Sequence, residues 1–299
     1  MITISYMNFW TDPVNDKYFS DFIHNFTNCT INHICHTNHP DILICSCVGN
    51  INNIIQTKAK VKLFFYGENL ERYPPYNNFE LLKNTFDLII GFKKSNILEK
   101  QVQFPLWLIY YPFYSWDEEN NILKYIEYQH KNNRNKTKNK LATIVSRHDR
   151  NGSRTLIWKI IGKYGKVYSG GAFKSNVPLI GTGLKAKQTF ISESYFNICP
   201  ENSIYEDYIT EKIFQALEGG TIPLYWGSKK PEIINDKKYC YCPIDDINQL
   251  ENNIKYAVEN KDKILAETIF SECAKDTVKE YYDFLRESLK DVFIKKRVL

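Results

Sequence analysis

Short apolar runs alternate with stretches of helical spacing along most of this chain, and this alternation narrows the possible folds more than any other feature. Runs in the first half include ITISYMNFW (2–10), KVKLFFYG (60–67) and FDLIIGF (86–92), and runs in the second half include LATIVS (141–146) and TIPLYWGS (221–228). Strands that alternate with helices predict parallel sheets with helices packed on their faces. The pattern therefore predicts an α/β fold, with two Rossmann-like domains that face a cleft.

A polar stretch separates the two predicted domains. From Lys131 to Lys140 the sequence KNNRNKTKNK has no apolar period and carries five basic residues. We expect a basic linker at 131–140 between an N-terminal domain at 1–130 and a C-terminal domain at 141–299. An arm that binds nucleic acid is the alternative, but no aromatic residue follows Tyr128 in this stretch to stack on bases. We therefore predict no nucleic-acid partner.

The charge balance favours small anionic ligands. Lys and Arg number 39 against 34 Asp and Glu, which gives a net charge of +5. This mild excess of positive charge suits nucleotides or phosphates as ligands. It is smaller than the positive charge expected of a dedicated nucleic-acid-binding protein. Apolar runs such as PLWLIYYPF (105–113) are too short to cross a bilayer, and the first residues do not resemble a signal peptide. We therefore predict no integral membrane segment, a cytoplasmic location and mostly reduced cysteines.

Cysteine and histidine residues crowd the segment 29–47. Their spacing matches no zinc-binding pattern, although both residue types are good zinc ligands. Cys45 and Cys47 lie in the apolar run DILICSCVG. We expect these two residues to behave as small buried hydrophobic groups rather than as metal ligands.

Two cations stand where ligands bind in α/β sheets, beyond the carboxyl ends of the strands. Arg154 follows LATIVS in the first turn of a helix that Ser153 is expected to cap, and Lys212 lies in the first turn of TEKIFQALEGG after a possible N-cap at Thr210. A cation there opposes the helix dipole at a cost of about 0.3–1 kcal/mol unless an anion is near. Each one alone is most simply a solvated surface cation, but together they indicate a diphosphate site.

A second group of residues extends this site. Tyr208, Glu211 and Lys212 share one face if the helix reaches back to Tyr208. An aromatic ring, a carboxylate and a cation there could contact a base or sugar, a sugar hydroxyl and a phosphate, although an exposed helix face is the plain alternative. The chain has no Asp-x-Asp motif, no P-loop and no GxGxxG motif. Asp245-Asp246 is interpreted as a helix start rather than as a metal-binding pair. With these motifs absent, the remaining prediction is a metal-free reaction with a nucleotide-diphosphate leaving group.

The segment YFNICPENSIYEDYITEKIFQALEGGTIPLYWGS (195–228) resembles the donor-binding signature of α1,3-fucosyltransferases. Further matches are MNFW (7–10), FFYGEN (64–69) and FPLW (104–107). The resemblance implies the GT-B fold, with an acceptor-binding N-terminal domain and a donor-binding C-terminal domain. It also implies metal-independent transfer of L-fucose from GDP-fucose to a hydroxyl of an acceptor glycan, in an α1,3-type linkage with inversion.

The resemblance also implies roles for individual residues. Arg154 and Lys212 would neutralise the departing diphosphate, and Glu211 would contact the fucose ring and stabilise charge near it. Asn202 and Tyr208 would contact the nucleotide or its phosphates. Glu68 matches the position of the general base that deprotonates the acceptor hydroxyl, and Glu71 is the neighbouring alternative.

Two departures from the family pattern leave alternatives open. Pro200 stands where the family has an aromatic residue, and the segment SIYED (203–207) is unusually acidic for a sugar-nucleotide site. The alternatives are a GT-B enzyme that uses another nucleotide sugar and a sugar-nucleotide-binding protein whose catalytic site has decayed. The segments LERYPPYNNF (70–79) and YYPFYSW (110–116) have no family equivalent and are expected to shape the acceptor site.

Overall fold

The computed structural model describes residues 1–9, 17–94, 100–116, 121–228 and 230–299. The sequence predicts a first strand over 2–10 and a helix near 15–26. Trp10 and Asn15 of these elements lie outside the described residues. The chain divides into two compact units, one made of Met1–Asn121 and Asp276–Leu299, the other of Ile122–Lys275. Each unit contains its own parallel sheet.

Most strands lie in the apolar runs, as expected for parallel sheets buried on both faces, whereas β2 and β6 are short and more polar. In the described part of the chain they are β1 (Ile2–Met7), β2 (Ile31–His33), β3 (Ile42–Cys45), β4 (Val61–Tyr66), β5 (Leu88–Gly91), β6 (Gln101–Gln103), β7 (Lys140–Ile144), β8 (Val167–Ser169), β9 (Ser194–Ile198), β10 (Ile222–Tyr225) and β11 (Cys240–Tyr241).

The helices lie between the strands and at the end of the chain. Over the same residues they are α1 (Tyr18–Thr27), α2 (Ile51–Gln56), α3 (Phe79–Thr85), α4 (Ile122–Arg134), α5 (Ser153–Ile161), α6 (Leu184–Ile191), α7 (Glu211–Glu218), α8 (Ile247–Glu259), α9 (Lys261–Ala266) and α10 (Ala274–Lys295). Asp246 is the N-cap of α8 and accepts from the N–H of Gln249, which confirms the predicted helix start.

The two sheets share one connectivity. The first has the order β2-β1-β3-β4-β5-β6 and the second the order β8-β7-β9-β10-β11, and all neighbouring strands are parallel. In each sheet the strand order reverses beside the first strand, between β1 and β3 and between β7 and β9. Loops that leave the carboxyl ends of strands at such a reversal open a crevice where doubly wound folds bind ligands. In the second sheet these are the loops after β7 and β9.

The C-terminal helix belongs to the first unit, which corrects the predicted domain at 141–299. The Tyr282 ring of α10 packs on the rings of Phe22 and Phe104, with centroids 6.3 and 5.7 Å apart, and Phe293 stacks on Phe26. Tyr282 and Phe293 are fully buried. An apolar helix face of this kind packs wherever aromatic surface is open to it, and periodicity does not indicate which unit supplies that surface.

The predicted linker at 131–140 is also corrected, because its first four residues continue α4 and its last begins β7. Nδ1 of His130 lies 2.6 Å from the carbonyl oxygen of Leu217, and Asn133 donates to that of Glu218 at 2.7 Å. The Lys138 ammonium donates to the carbonyl oxygens of Ser192 and Gly220. The segment is polar because it binds the carbonyl ends of neighbouring elements, an arrangement that favours cations.

The two cysteines predicted as small hydrophobic groups are buried, which confirms that prediction. Cys45 ends β3 and Cys47 follows it, and burial raises the pKa of the Cys47 thiol to about 12. All eight cysteines are free thiols. In the ranges described above, no helix is long and apolar enough to cross a membrane. The cytoplasmic location stays a prediction.

Candidate functional site

A cavity of about 230 Å³ opens at the strand-order reversal of the second sheet. It is lined by the end of β9, the loops after β7 and β9, the first turns of α5 and α7, and one residue of α6. Four residues predicted from the sequence line it together: Arg154, Asn202, Glu211 and Lys212. The expectation that both cations lie at one edge of one sheet is confirmed.

Arg154 is held by two acceptors from different loops. Its Nη1 donates to the carbonyl oxygen of His148 at 2.8 Å, and its Nη2 donates to Oδ1 of Asn202 at 2.9 Å. The residue is only 5% exposed. Burial lowers the pKa of Arg154, while the nearby Asp149 carboxylate opposes that shift. A guanidinium stays charged in such a setting, so Arg154 presents a fixed positive charge to the cavity.

The helix that carries Arg154 is not capped by Ser153, which corrects the sequence prediction. Ser153 is the first helical residue, and Gly152 occupies the N-cap position with a φ of 77°. The Asp149 carboxylate accepts from the N–H groups of Arg154 and Thr155, at 3.2 and 2.7 Å. The left-handed turn that glycine permits brings this loop carboxylate over the helix terminus.

Lys212 is bound to a buried network at the start of α7. Its Nζ donates to Oγ1 of Thr210 at 2.8 Å and to Oε2 of Glu201 at 3.1 Å. Thr210 is at the predicted N-cap position, but its hydroxyl donates to Glu201 at 2.7 Å instead of capping the helix. Glu201 is fully buried. Sequence reasoning missed Glu201, although it stands next to Asn202 in the family signature.

Glu211 lies beside two ammonium groups. Its Oε1 is 3.7 Å from Nζ of Lys212, and its side chain is 15% exposed. Burial pushes the pKa of Glu211 upward, but the charges of Lys212 and Lys187 outweigh it and hold the pKa below its usual value. Glu211 is therefore ionised at neutral pH.

Lys187, on α6, is a further cation of the cavity that the sequence analysis did not single out. Its Nζ donates to Oε1 of Gln215 at 2.6 Å, and burial lowers its pKa while Glu211 opposes that shift. Leu184 and Ile191 are apolar and lie about two helical turns apart, and this spacing was the sequence feature that could have indicated the helix α6. The polar residues between them gave no reason to choose Lys187.

Tyr208 does not share a helix face with Glu211 and Lys212, because α7 begins at Glu211 and Thr210 has an extended backbone. The condition for a shared face, a helix that reaches back to Tyr208, is therefore not met. Tyr208 is 1% exposed and is not among the residues that line the cavity. It nevertheless lies near enough to Arg154 to raise the pKa of the guanidinium by its charge interaction.

Gly171, which follows β8, passes close to the backbone of the loop after β7. A Cβ atom on Gly171 would come within 2.2 Å of the Ser146 carbonyl oxygen. Ser146 itself lines the cavity. A residue without a side chain is therefore required where the loop after β8 passes the loop after β7.

The two candidate general bases lie in the first unit, after β4. Oε2 of Glu68 is 3.9 Å from Nη1 of Arg72, and the Glu68 side chain is 17% exposed. Glu71 is exposed, and the buried Asn69 accepts from its N–H at 3.0 Å. Glu68 is thus the more buried of the two carboxylates.

The cavity as a whole carries an excess of basic side chains, which suits an anionic ligand. In the part of the chain that the structure describes, Arg147, Arg154, Lys187 and Lys212 bring four basic side chains to it, against the one lining carboxylate of Glu211. A guanidinium and an ammonium at neighbouring helix starts can hold the oxygens of a diphosphate. Among the described residues, no three His, Cys, Asp or Glu side chains are grouped so that they could hold a metal ion.

Comparisons with known proteins show which family the chain resembles along most of its length. Residues 133–265 match the model of the glycosyltransferase family 10 (fucosyltransferase) C-terminal region, and residues 4–110 match that of the α-(1,3)-fucosyltransferase FucT N-terminal domain. An α-(1,3)-fucosyltransferase FucT of Helicobacter pylori is 23% identical over 285 residues, which cover 85% of this chain and 56% of the relative. The chain thus spans little more than half the length of this curated relative.

Solved structures agree on the fold. A crystal structure of an α1,3-fucosyltransferase has a TM-score of 0.65 and 18% identity, and covers 96% of this chain and 90% of its own. Another, of an α1,3-fucosyltransferase with GDP-fucose, has a TM-score of 0.62 and 20% identity at the same coverage. The fold is α/β, with two Rossmann-like domains of the GT-B class. With family models matched along most of its length, the chain belongs to the α1,3-fucosyltransferase family of glycosyltransferases.

Proposed function

We propose that this protein transfers L-fucose from GDP-fucose to a hydroxyl group of an acceptor glycan, with inversion, in an α1,3-type linkage and without a metal ion. One observation carries the proposal: Arg154 and Lys212 line the same small cavity at the strand-order reversal of the second sheet. The second unit would bind the donor and the first the acceptor.

The cations stabilise the leaving group. As the bond between the anomeric carbon and the β-phosphate oxygen breaks, negative charge grows on the departing GDP. Arg154 and Lys212 offset that charge in place of a divalent ion, and preorganised charges of this kind often supply the largest share of catalysis. Asn202 contributes by fixing the Arg154 guanidinium at 2.9 Å, and Tyr208 is assigned to the nucleotide side of the site.

Glu211 acts on the sugar. Its carboxylate is ionised because Lys212 and Lys187 hold its pKa down against burial. An ionised carboxylate accepts hydrogen bonds from sugar hydroxyls, and it stabilises the positive charge that develops at the ring oxygen and anomeric carbon in the transition state.

Glu68 takes the proton. In a single displacement with inversion, the acceptor oxygen attacks the anomeric carbon opposite the leaving phosphate, and its proton passes to a general base. Glu68 is assigned this role from its family position, and Glu71 is the alternative. Glu68 is the less exposed of the two carboxylates, which supports the choice.

A donor panel tests the proposal. GDP-fucose, GDP-mannose, UDP-galactose and UDP-glucose are titrated by calorimetry, and slow hydrolysis of each donor is measured in parallel. We expect binding and hydrolysis of GDP-fucose alone. Binding and turnover of another donor, with none of GDP-fucose, would establish the second candidate, a GT-B enzyme of different donor specificity, which Pro200 and the acidic segment 203–207 favour. Binding without turnover of donor, even with a panel of acceptor glycans, would favour a decayed site.

A further inference from the structure

Glu201 is a fully buried carboxylate for which the proposed chemistry has no direct use. It lies three residues after β9, at 0% exposure. Burial raises its pKa, although the nearby Lys212 charge opposes the shift. Burying a carboxylate is costly even when it is paired, and apolar residues of similar volume often give equal or better stability. A buried ion pair at a binding site therefore points to a purpose other than stability.

The carboxylate joins the end of one strand to the start of the next helix. Oε1 accepts from the N–H of Thr210 at 2.8 Å, and Oε2 accepts from the Thr210 hydroxyl at 2.7 Å. The Tyr225 hydroxyl lies 3.5 Å from Oε1. The loop after β9 and the first turn of α7 are thus held together by a single side chain.

The same carboxylate orients Lys212. Nζ of Lys212 is 3.1 Å from Oε2 of Glu201 and 2.8 Å from Oγ1 of Thr210, so both groups bind the ammonium. A lysine side chain otherwise has many rotamers, and fixing it at the moment of binding costs conformational entropy. A cation that is already fixed acts on a developing charge without reorganising.

We propose that Glu201 is a positioning residue that, with the Thr210 hydroxyl, holds the Lys212 ammonium in place for the diphosphate of the donor. This inference rests on the proposed function, because it takes the ligand to be a nucleoside diphosphate. Glu201 does not touch the reacting atoms and acts through Lys212.

The test compares two buried glutamates. In Glu201→Gln the charge is lost and an amide of the same size remains. Glu218→Gln is the matched control, because Glu218 is also buried, belongs to α7 and accepts from Gln188 at 2.7 Å, but does not line the cavity. We expect Glu201→Gln to weaken GDP binding in calorimetry by about tenfold or more and to lower kcat with GDP-fucose further, while Glu218→Gln stays within about threefold of wild type.

A double-mutant cycle separates positioning from stability. If Glu201 acts through Lys212, then in the Lys212→Met background Glu201→Gln has almost no further effect on GDP affinity, so the two losses are strongly non-additive. A melting temperature that falls while GDP affinity is unchanged, or two losses that simply add, would overturn the proposal and leave Glu201 a structural residue.

Thr210 gives a second route if Glu201→Gln does not fold. Thr210→Val removes the hydroxyl between Glu201 and Lys212 and keeps the backbone N–H, and Thr210→Ser restores the hydroxyl. GDP affinity should fall in the valine variant and recover in the serine variant, and equal affinities in both would contradict the proposal. Thr221→Val is the control, because Thr221 is buried just beyond the other end of α7 and donates to Ala216 at 2.8 Å.

Failure of the proposal can be told apart from failure of the proposed function. If wild type binds GDP and Lys212→Met loses it, but Glu201→Gln and Thr210→Val do not, the positioning role is wrong and the donor assignment stands. If wild type binds no GDP but binds UDP, the donor assignment is wrong, and the same cycle run with UDP tests the positioning role of Glu201. Binding of neither nucleotide would overturn both.

Discussion

Arg154 and Asn202 are 48 positions apart in the chain, and Nη2 of the arginine donates to Oδ1 of the asparagine at 2.9 Å. The bond links the first turn of α5, the helix that follows β7, to the loop after β9, at the strand-order reversal. Because the His148 carbonyl oxygen takes a second guanidinium N–H, the plane of the Arg154 side chain is set by acceptors from the loops after β7 and β9. The cation is thus oriented before any anion arrives.

Removing either cation should reduce activity by orders of magnitude. We expect Arg154→Ala and Lys212→Ala each to lower kcat by about 10²–10³-fold, the range found when one preorganised transition-state contact is lost. Initial rates with GDP-fucose and an acceptor measure this. Arg150→Ala and Lys159→Ala remove exposed cations that do not line the cavity and should be near wild type. Wild-type rates in either site variant would contradict the role given to that residue.

The two candidate bases should separate in kinetics. We expect Glu68→Gln to lower kcat by about 10²–10⁴-fold, because a general base contributes that much, while GDP affinity is unchanged. Glu71→Gln should retain most of the activity, since Glu71 is exposed. The reverse result would move the role to Glu71. Full activity in both variants would exclude a carboxylate base in this segment.

Chelation should leave activity intact. If Arg154 and Lys212 take the place of a divalent ion, initial rates after dialysis against EDTA should equal those of untreated enzyme. Added Mg²⁺ or Mn²⁺ should then change the rate by less than about twofold. Loss of activity on chelation, with recovery on addition of one metal, would show that a metal ion takes part.

The stability of the protein should fall in mild acid because of His130. Burial, with a further contribution from the Lys238 charge, lowers the pKa of His130 to about 3. The unfolded chain therefore binds a proton below about pH 6.5 that the folded chain does not, so stability present at neutral pH is lost as the pH falls. Between pH 7 and pH 5 this amounts to about 2 kcal/mol.

His130→Gln tests that dependence, because glutamine can still donate to the Leu217 carbonyl oxygen. The loss of unfolding free energy between pH 7 and pH 5, from urea titrations, should be about 2 kcal/mol smaller than in wild type. His24→Gln, at an exposed position, is the control and should leave the loss unchanged. An equal loss in His130→Gln and wild type would show that His130 is not buried in its neutral form.

The sequence by itself determined most of the strands, the parallel α/β class and the chain positions of the principal cations, but it did not predict β6. These follow from local information: apolar runs of strand length, helical periodicity, and a signature over 195–228 that contains Lys212. Arg154 lies outside that signature, in the helix predicted after LATIVS. Because parallel strands place their carboxyl ends at one edge, Arg154 and Lys212 could be predicted to meet without any knowledge of distances.

Only the tertiary structure decided which partners those residues take. Asp149 rather than Ser153 caps α5, Thr210 bonds Glu201 instead of its own helix, and Lys187 joins the cavity from α6. The sequence likewise did not predict that α10 belongs to the first unit. Each of these depends on contacts between segments far apart in the chain, and periodicity reports which face of an element is apolar but not what packs against it.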